Sequence, residues 1–152
     1  MKKLLIFSAL LLFAIQLFTQ VHTTYLWHLQ QPIYWPENSQ WNAPKYQYVW
    51  ESHYLKTHGG NIYPDGQAHP LNDLEEIFGK DDRKAIYQYR AKDAVQTLLG
   101  LPEAGAQVNY SGVLIENVNS LASAGQWGYS NGWQNNFTTA RNWQTSGGKP
   151  RM

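Results

Sequence analysis

Cysteine is absent from the 152 residues, which excludes disulfides, thiolate zinc sites and a cysteine nucleophile. Any chemistry therefore rests on oxygen groups and imidazoles. Charge of one sign is also lacking: 12 Lys and Arg stand against 11 Asp and Glu, a formal net charge of +1, so there is no field to hold a nucleic acid by counterion release. No internal repeat is evident, and the length allows one modest core of roughly 100 to 200 residues. What is abundant is aromatic. Seven Trp, ten Tyr and five Phe lie largely in polar stretches carrying Gly, Pro and Asn, where rings either pin loops to a core or offer flat faces to a ligand.

Lys2 and Lys3 precede an apolar run from Leu4 to Phe18 broken only by Ser8 and Gln16, the order of a signal peptide. As a helix the run is about 22 Å long at ~1.5 Å per residue, short of the ~30 Å hydrocarbon core. A signal peptide over residues 1–20 and export to the periplasm or extracellular space are expected, with no stable membrane insertion once it is removed. Val21 to Leu29 is β-branched and aromatic and ends before Pro32, which suits a first strand. Residues 31–70 show little periodicity and many rings, the signature of a long functional loop. Asn72 with Glu75 resembles an N-cap pair opening a short helix through Phe78 and closed by Gly79. The best helix runs from Asp82 to Leu99, with Ile86, Tyr89, Val95, Leu98 and Leu99 on one face and Gly100 as the stop. Ala106 to Ser111 alternates as a second strand, and Gly112 leads into a helix over about Val113 to Ala122. Strand, helical connection, strand and helix give an α/β order with a parallel pair. After Gly125 the text is rich in Gly, Asn, Gln and Trp and shows no further periodic element.

The sharpest local feature is Trp27-His28-Leu29-Gln30-Gln31-Pro32, an imidazole at the carboxyl end of a predicted strand followed by amides. In parallel α/β folds ligands collect beyond those strand ends. The run resembles the first signature of glycoside hydrolase family 57, a His-x-His-Gln-Pro motif at the end of the first barrel strand: His28, Gln31 and Pro32 match, and Gln30 stands where the second histidine is usual. Asn109-Tyr110-Ser111-Gly112 followed by Val113-Leu114-Ile115-Glu116 is similar to the strand and helix that follow that motif in the family. Together these cover most of the chain past residue 20, though only the His28 motif is distinctive.

The resemblance implies the N-terminal part, residues 21–152, of an incomplete (β/α)7-type barrel with parallel strands, truncated here and acting on α-linked glucans or related polysaccharides by a retaining mechanism. Its catalytic Glu and Asp would lie beyond this chain, so no catalytic residue, metal or cofactor is expected within it. His28 is either a sugar-binding residue or a satisfied core histidine; at Gln30 an amide still exchanges hydrogen bonds with hydroxyls but supplies no titratable proton. The substrate-binding candidates are His28, Gln30, Gln31, Trp35 and Trp41, with Trp50 and Tyr54 as further stacking rings or loop anchors. Trp127, Tyr129, Trp133 and Trp143 carry the same two alternatives. His53, His58 and His69, with Glu51 and Asp65, match no standard metal-ligand spacing. Glu75, Glu76, Asp81 and Asp82 read as solvated helix-end charges. Asn-x-Ser/Thr sites fall at Asn109 and Asn136. The rival expectation is a secreted carbohydrate-binding module that performs no chemistry.

Overall fold

The fold, taken from a computed structural model, is described for residues 26–34 and 47–152; the expected signal peptide and the rings of Trp35 and Trp41 lie outside the described residues. Strand β1 (Leu26–Leu29) is followed by α1 (Val49–Thr57) and α2 (Leu74–Phe78). A longer helix then runs through three segments: α3 (Asp81–Ala85), a π-helical turn (Ile86–Arg90) and α4 (Ala91–Thr97). Strand β2 (Gln107–Tyr110), α5 (Gly112–Ser123) and α6 (Trp133–Asn142) complete the order. The chain is a mixed helix and strand protein in which β1 and β2 pair in parallel, with His28 opposite Asn109 and Leu29 opposite Tyr110.

The pleat divides the pair into two unlike faces. Leu29 is in the core cluster, and Trp27, Val108 and Tyr110 pack against it. On the other face Leu26 is 60% exposed, and His28, Gln107 and Asn109 are exposed beside it. Parallel sheets are ordinarily covered on both faces; among the described residues only one is.

Helix α5 is the most legible element. Leu114, Asn117, Val118, Leu121 and Ala122 are buried, the i, i+3, i+4, i+7, i+8 stripe of an amphipathic helix. Ser111 caps it, its Oγ accepting from Leu114 N at 3.2 Å, while Ser111 N donates to Leu29 O at 3.0 Å. One residue thus ends the ladder and starts the helix. Buried Asn117 acts at a distance, its Oδ1 accepting from Val49 N at 2.8 Å and satisfying an amide at the start of α1 that no local side chain caps. Asn117→Leu keeps the branched shape but orphans that amide in the core. It is expected to cost about 1 to 3 kcal/mol, measurable as a lower urea midpoint with an unchanged slope.

Four expectations need correction. The cap of α2 is Asp73, whose Oδ1 accepts from Glu76 N at 3.0 Å, one residue later than Asn72 with Glu75. Residues 49–57 form α1 inside what the sequence presents as loop, and α6 stands where no further element is expected. The face of the long helix is met only in part: Val95 is buried and Ile86 packs against the core, whereas Tyr89 and Leu99 are exposed and Ala85, Tyr87, Gln88 and Ala91 are buried instead. A π turn inserts an extra residue into the helical repeat and rotates everything after it. Its carbonyls find side-chain donors, Tyr110 Oη to Tyr87 O at 3.3 Å and Asn136 Nδ2 to Gln88 O at 3.1 Å. Asn136 is therefore a structural donor on α6, not a free sequon.

The polypeptide after α6 is tied back as well. Arg151 donates from Nε to Gln144 O at 2.9 Å and from Nη1 to Leu98, Leu101 and Ala104 carbonyls at 3.1, 2.8 and 2.6 Å. Its own carbonyl accepts from Ala106 N at 2.8 Å, just ahead of β2. This guanidinium collects the carbonyls that follow α4.

Candidate functional site

The carboxyl ends of β1 and β2 gather the residues of the His28 motif. His28 Nε2 donates to Gln30 Oε1 at 2.7 Å, which places the ring hydrogen on Nε2 and leaves Nδ1 as an acceptor in the neutral imidazole. The histidine is exposed, so it is not a core histidine. Asn109 lies next to it in register on the same open face. An imidazole and two amides side by side offer donors and acceptors at the spacing of adjacent strands, about 4.8 Å.

Gln31 points to the helical side. Its Nε2 donates to Tyr87 Oη at 2.6 Å, and its Oε1 accepts from Tyr34 Oη at 2.5 Å. The amide is therefore committed at both ends and acts as a strut. Tyr87 comes from the π turn, so the helical irregularity presents the hydroxyl that holds the motif. The ring of Phe78 backs both partners, 6.1 Å from Tyr34 edge-on and 5.5 Å from Tyr87. Of the sequence candidates, the structure places His28 and Gln30 on the exposed side and Gln31 in a supporting role. Asn109, Tyr34 and Tyr87 are the partners that spacing did not single out. Asn109 had a signal in the second motif; Tyr87 had none, because it lies 56 residues from Gln31.

Burial holds the hydroxyls protonated. Tyr34 is pushed up to about 12, first by burial and then by the neighbouring Tyr87. Burial likewise raises Tyr87, against the lowering effect of the Gln31 hydrogen bond, and raises Tyr110 and Tyr129 well above the usual phenol range. At neutral pH these groups donate hydrogen bonds and are not bases. A folded pKa above the unfolded value means that the folded state holds its protons more tightly, so the contribution to stability is complete below about pH 10 and is lost as pH rises through 10 to 12 and beyond. Absorbance at 295 nm is expected to show these four tyrosines ionising above the usual phenol range, together with the loss of near-ultraviolet dichroism.

The carboxylates read as helix-end charges are exposed and paired locally, Glu76 with Lys80 and Asp81 with Lys84. His53, His58 and His69 do not converge. Each stacks on a neighbouring ring, on Trp50, Tyr54 and Tyr63 respectively, and among the described residues no group of three or more His, Asp or Glu is arranged to hold a metal ion. Beside β2 runs a groove of about 440 Å³, lined by Val108, Tyr110, Ile115, Trp133, Phe137 and Met152 among others; it contains none of the residues of the His28 motif. Among the described residues no helix is long and apolar enough to cross a membrane.

Fold and site together define a mixed α/β protein with a parallel strand pair and a polar cluster at its carboxyl ends. No protein-family model, curated protein or solved structure matches the chain.

Proposed function

We propose that β1 and β2 are the opening strands of a (β/α)-type barrel similar to glycoside hydrolase family 57, and that their carboxyl ends bind a saccharide. The observation that carries this is the pairing of His28 with Asn109 on the exposed face of a parallel ladder, with Gln30 hydrogen-bonded to His28. Sugar hydroxyls both donate and accept, and a neutral imidazole beside amides answers both roles without a formal charge. The bare face of the pair corresponds to the inside of a barrel, and the helices that cover the other face correspond to its outer ring.

Neither Gln30–Tyr34 nor Ser111–Ile115 contains a carboxylate, and a retaining pair must stand about 5 Å apart across the scissile bond. In this proposal the strand-end residues recognise the sugar, and a Glu and an Asp from later strands of such a barrel perform the chemistry. A saccharide-binding role without catalysis uses the same residues.

Affinity electrophoresis in gels containing soluble starch tests the binding step. Retardation of the wild-type chain is expected, weakened about tenfold by His28→Ala, the scale of one or two lost hydrogen bonds to a ligand. Mobility identical with and without starch for the wild-type chain contradicts the proposal.

A further inference from the structure

Trp127 occupies a backbone conformation that a tryptophan rarely takes. Helix α5 is followed by Gly125, whose φ is 62°, and then by a tight turn in which Tyr129 N donates to Gln126 O at 3.0 Å. Its two central residues, Trp127 and Gly128, have φ of 50° and 80°, the type I′ geometry that favours Asn-Gly. A bulky residue bearing a β-carbon at the first of these positions is strained. The indole also lies against Gly79, where an added Cβ would meet Glu75 O at 2.8 Å first and then Trp127 Cγ at 3.3 Å.

This turn delivers the indole to a surface built of rings. Trp127 stands edge-on to Trp50 and His53, with centroids 5.5 and 4.9 Å away. Tyr54 is the next ring beyond Trp50, at 6.4 Å. The imidazole of His58 covers one face of Tyr54 at 4.1 Å, and the tyrosine is still 48% exposed. His58 itself is turned by its Nδ1 bond to Tyr54 O at 2.9 Å, which leaves Nε2 as an acceptor in the neutral ring. The side chains are half-buried or exposed, with Trp50 and Trp127 resting their inner sides against the core cluster.

We propose that Trp127, Trp50 and Tyr54, with His53 and His58 between them, form a second saccharide-binding surface that stacks on the apolar face of a hexose ring. The chemistry argues for a neutral sugar: flat rings take the C–H face of a pyranose, and the nitrogens of the imidazoles, which stack on one face of Trp50 and of Tyr54, meet its hydroxyls. A phosphate or polyanion would need a cluster of Lys and Arg, and the lysine that lies against Gly128, Lys84, is paired with Asp81 at 2.7 Å. The surface is separated from the strand ends by Phe78 and Gly79, Phe78 backing Tyr34 and Tyr87 on one side and Gly79 lying against Trp127 on the other. It stands on the geometry of Trp127, not on the His28 motif.

Saturation-transfer NMR on the full chain, with maltohexaose and cellohexaose as probes, tests it. Trp127→Asn creates the Asn-Gly pair that the turn prefers, so the backbone is kept while the ring is removed. Tyr54→Ala alters an exposed ring and serves if the first variant fails to fold. Either substitution is expected to weaken binding of at least one probe about tenfold, and the effect is expected to persist in a His28→Ala background. Binding unchanged in both folded variants overturns the proposal, as does absence of binding of both probes to the wild-type chain. Loss in His28→Ala alone would keep the strand-end site and sink this one; loss only in Trp127→Asn and Tyr54→Ala would do the reverse.

Discussion

Phe78→Ala is expected to destabilise the chain by about 3 to 5 kcal/mol, the range for truncating a fully enclosed phenylalanine to alanine, and to damage the strand-end cluster at the same time. The ring has no exposed surface and touches Tyr34 and Tyr87, the two hydroxyls that clamp the Gln31 amide. Its carbonyl accepts from Tyr129 Oη at 2.9 Å, so the backbone at α2 is fixed independently and cannot readily collapse into the void. Urea unfolding should show the loss of stability. Phe78→Leu, which keeps most of the volume, should cost roughly 1.5 kcal/mol and retain starch retardation. A stability change below about 1 kcal/mol for the alanine variant would show that the site relaxes to fill the gap.

Arg151→Met should cost about 3 kcal/mol, because hydrogen bonds from a buried charged donor are worth more than neutral ones, although the Leu98 and Leu101 carbonyls keep backbone bonds from Leu101 N and Ala104 N. The residue is only 5% exposed, and among the described residues its guanidinium bonds to backbone carbonyl oxygens and to no carboxylate. Leu98, Leu101 and Ala104 carbonyls would lose their common donor, so hydrogen exchange should accelerate first over residues 98–106 and at the start of β2. Arg141, exposed on α6, provides the contrast: Arg141→Met should change stability by no more than about 0.5 kcal/mol. Equal effects from the two substitutions would refute the assigned role of Arg151.

How far the fold can be read from the sequence depends on whether burial follows a simple period. Helix α5 carries an apolar stripe broken only by Asn117 and a serine cap, and both strands are short runs that alternate between covered and exposed residues, so all three are visible locally. Helix α6 has only Trp133, Phe137 and Ala140 on its inner side among Asn, Gln and Thr, and its rings are held by Tyr110, 5.0 Å from Phe137, and by Asn119, which accepts from Trp133 Nε1 at 2.9 Å. Those partners are distant in the chain. Helix α1 is started by Asn117 from α5, again a tertiary cap that local sequence cannot announce. The π turn defeats periodicity itself, since it changes the repeat midway.

The strand-end cluster is half visible in the sequence for the same reasons. His28, Gln30 and Gln31 follow a strand and stand out as a motif, whereas Tyr87 joins them only because the π turn swings it inward. The motif alone also does not separate the roles of its two glutamines. Alternation does so in the structure: His28 and Asn109 face outward, and Gln31 turns toward the helices, where two tyrosines hold it.

The most direct test of saccharide recognition at these strand ends is a ¹⁵N-edited NMR titration of the chain with maltohexaose, following backbone and side-chain amides together. Progressive shifts are expected at the Gln30 and Asn109 side-chain amides and at the Ser111 and Gly112 backbone amides, with the Gln31 amide shifting less because both of its ends are already bonded. Titration to the solubility limit of the sugar with no shift at Gln30, Asn109, Ser111 or Gly112 would contradict saccharide recognition there.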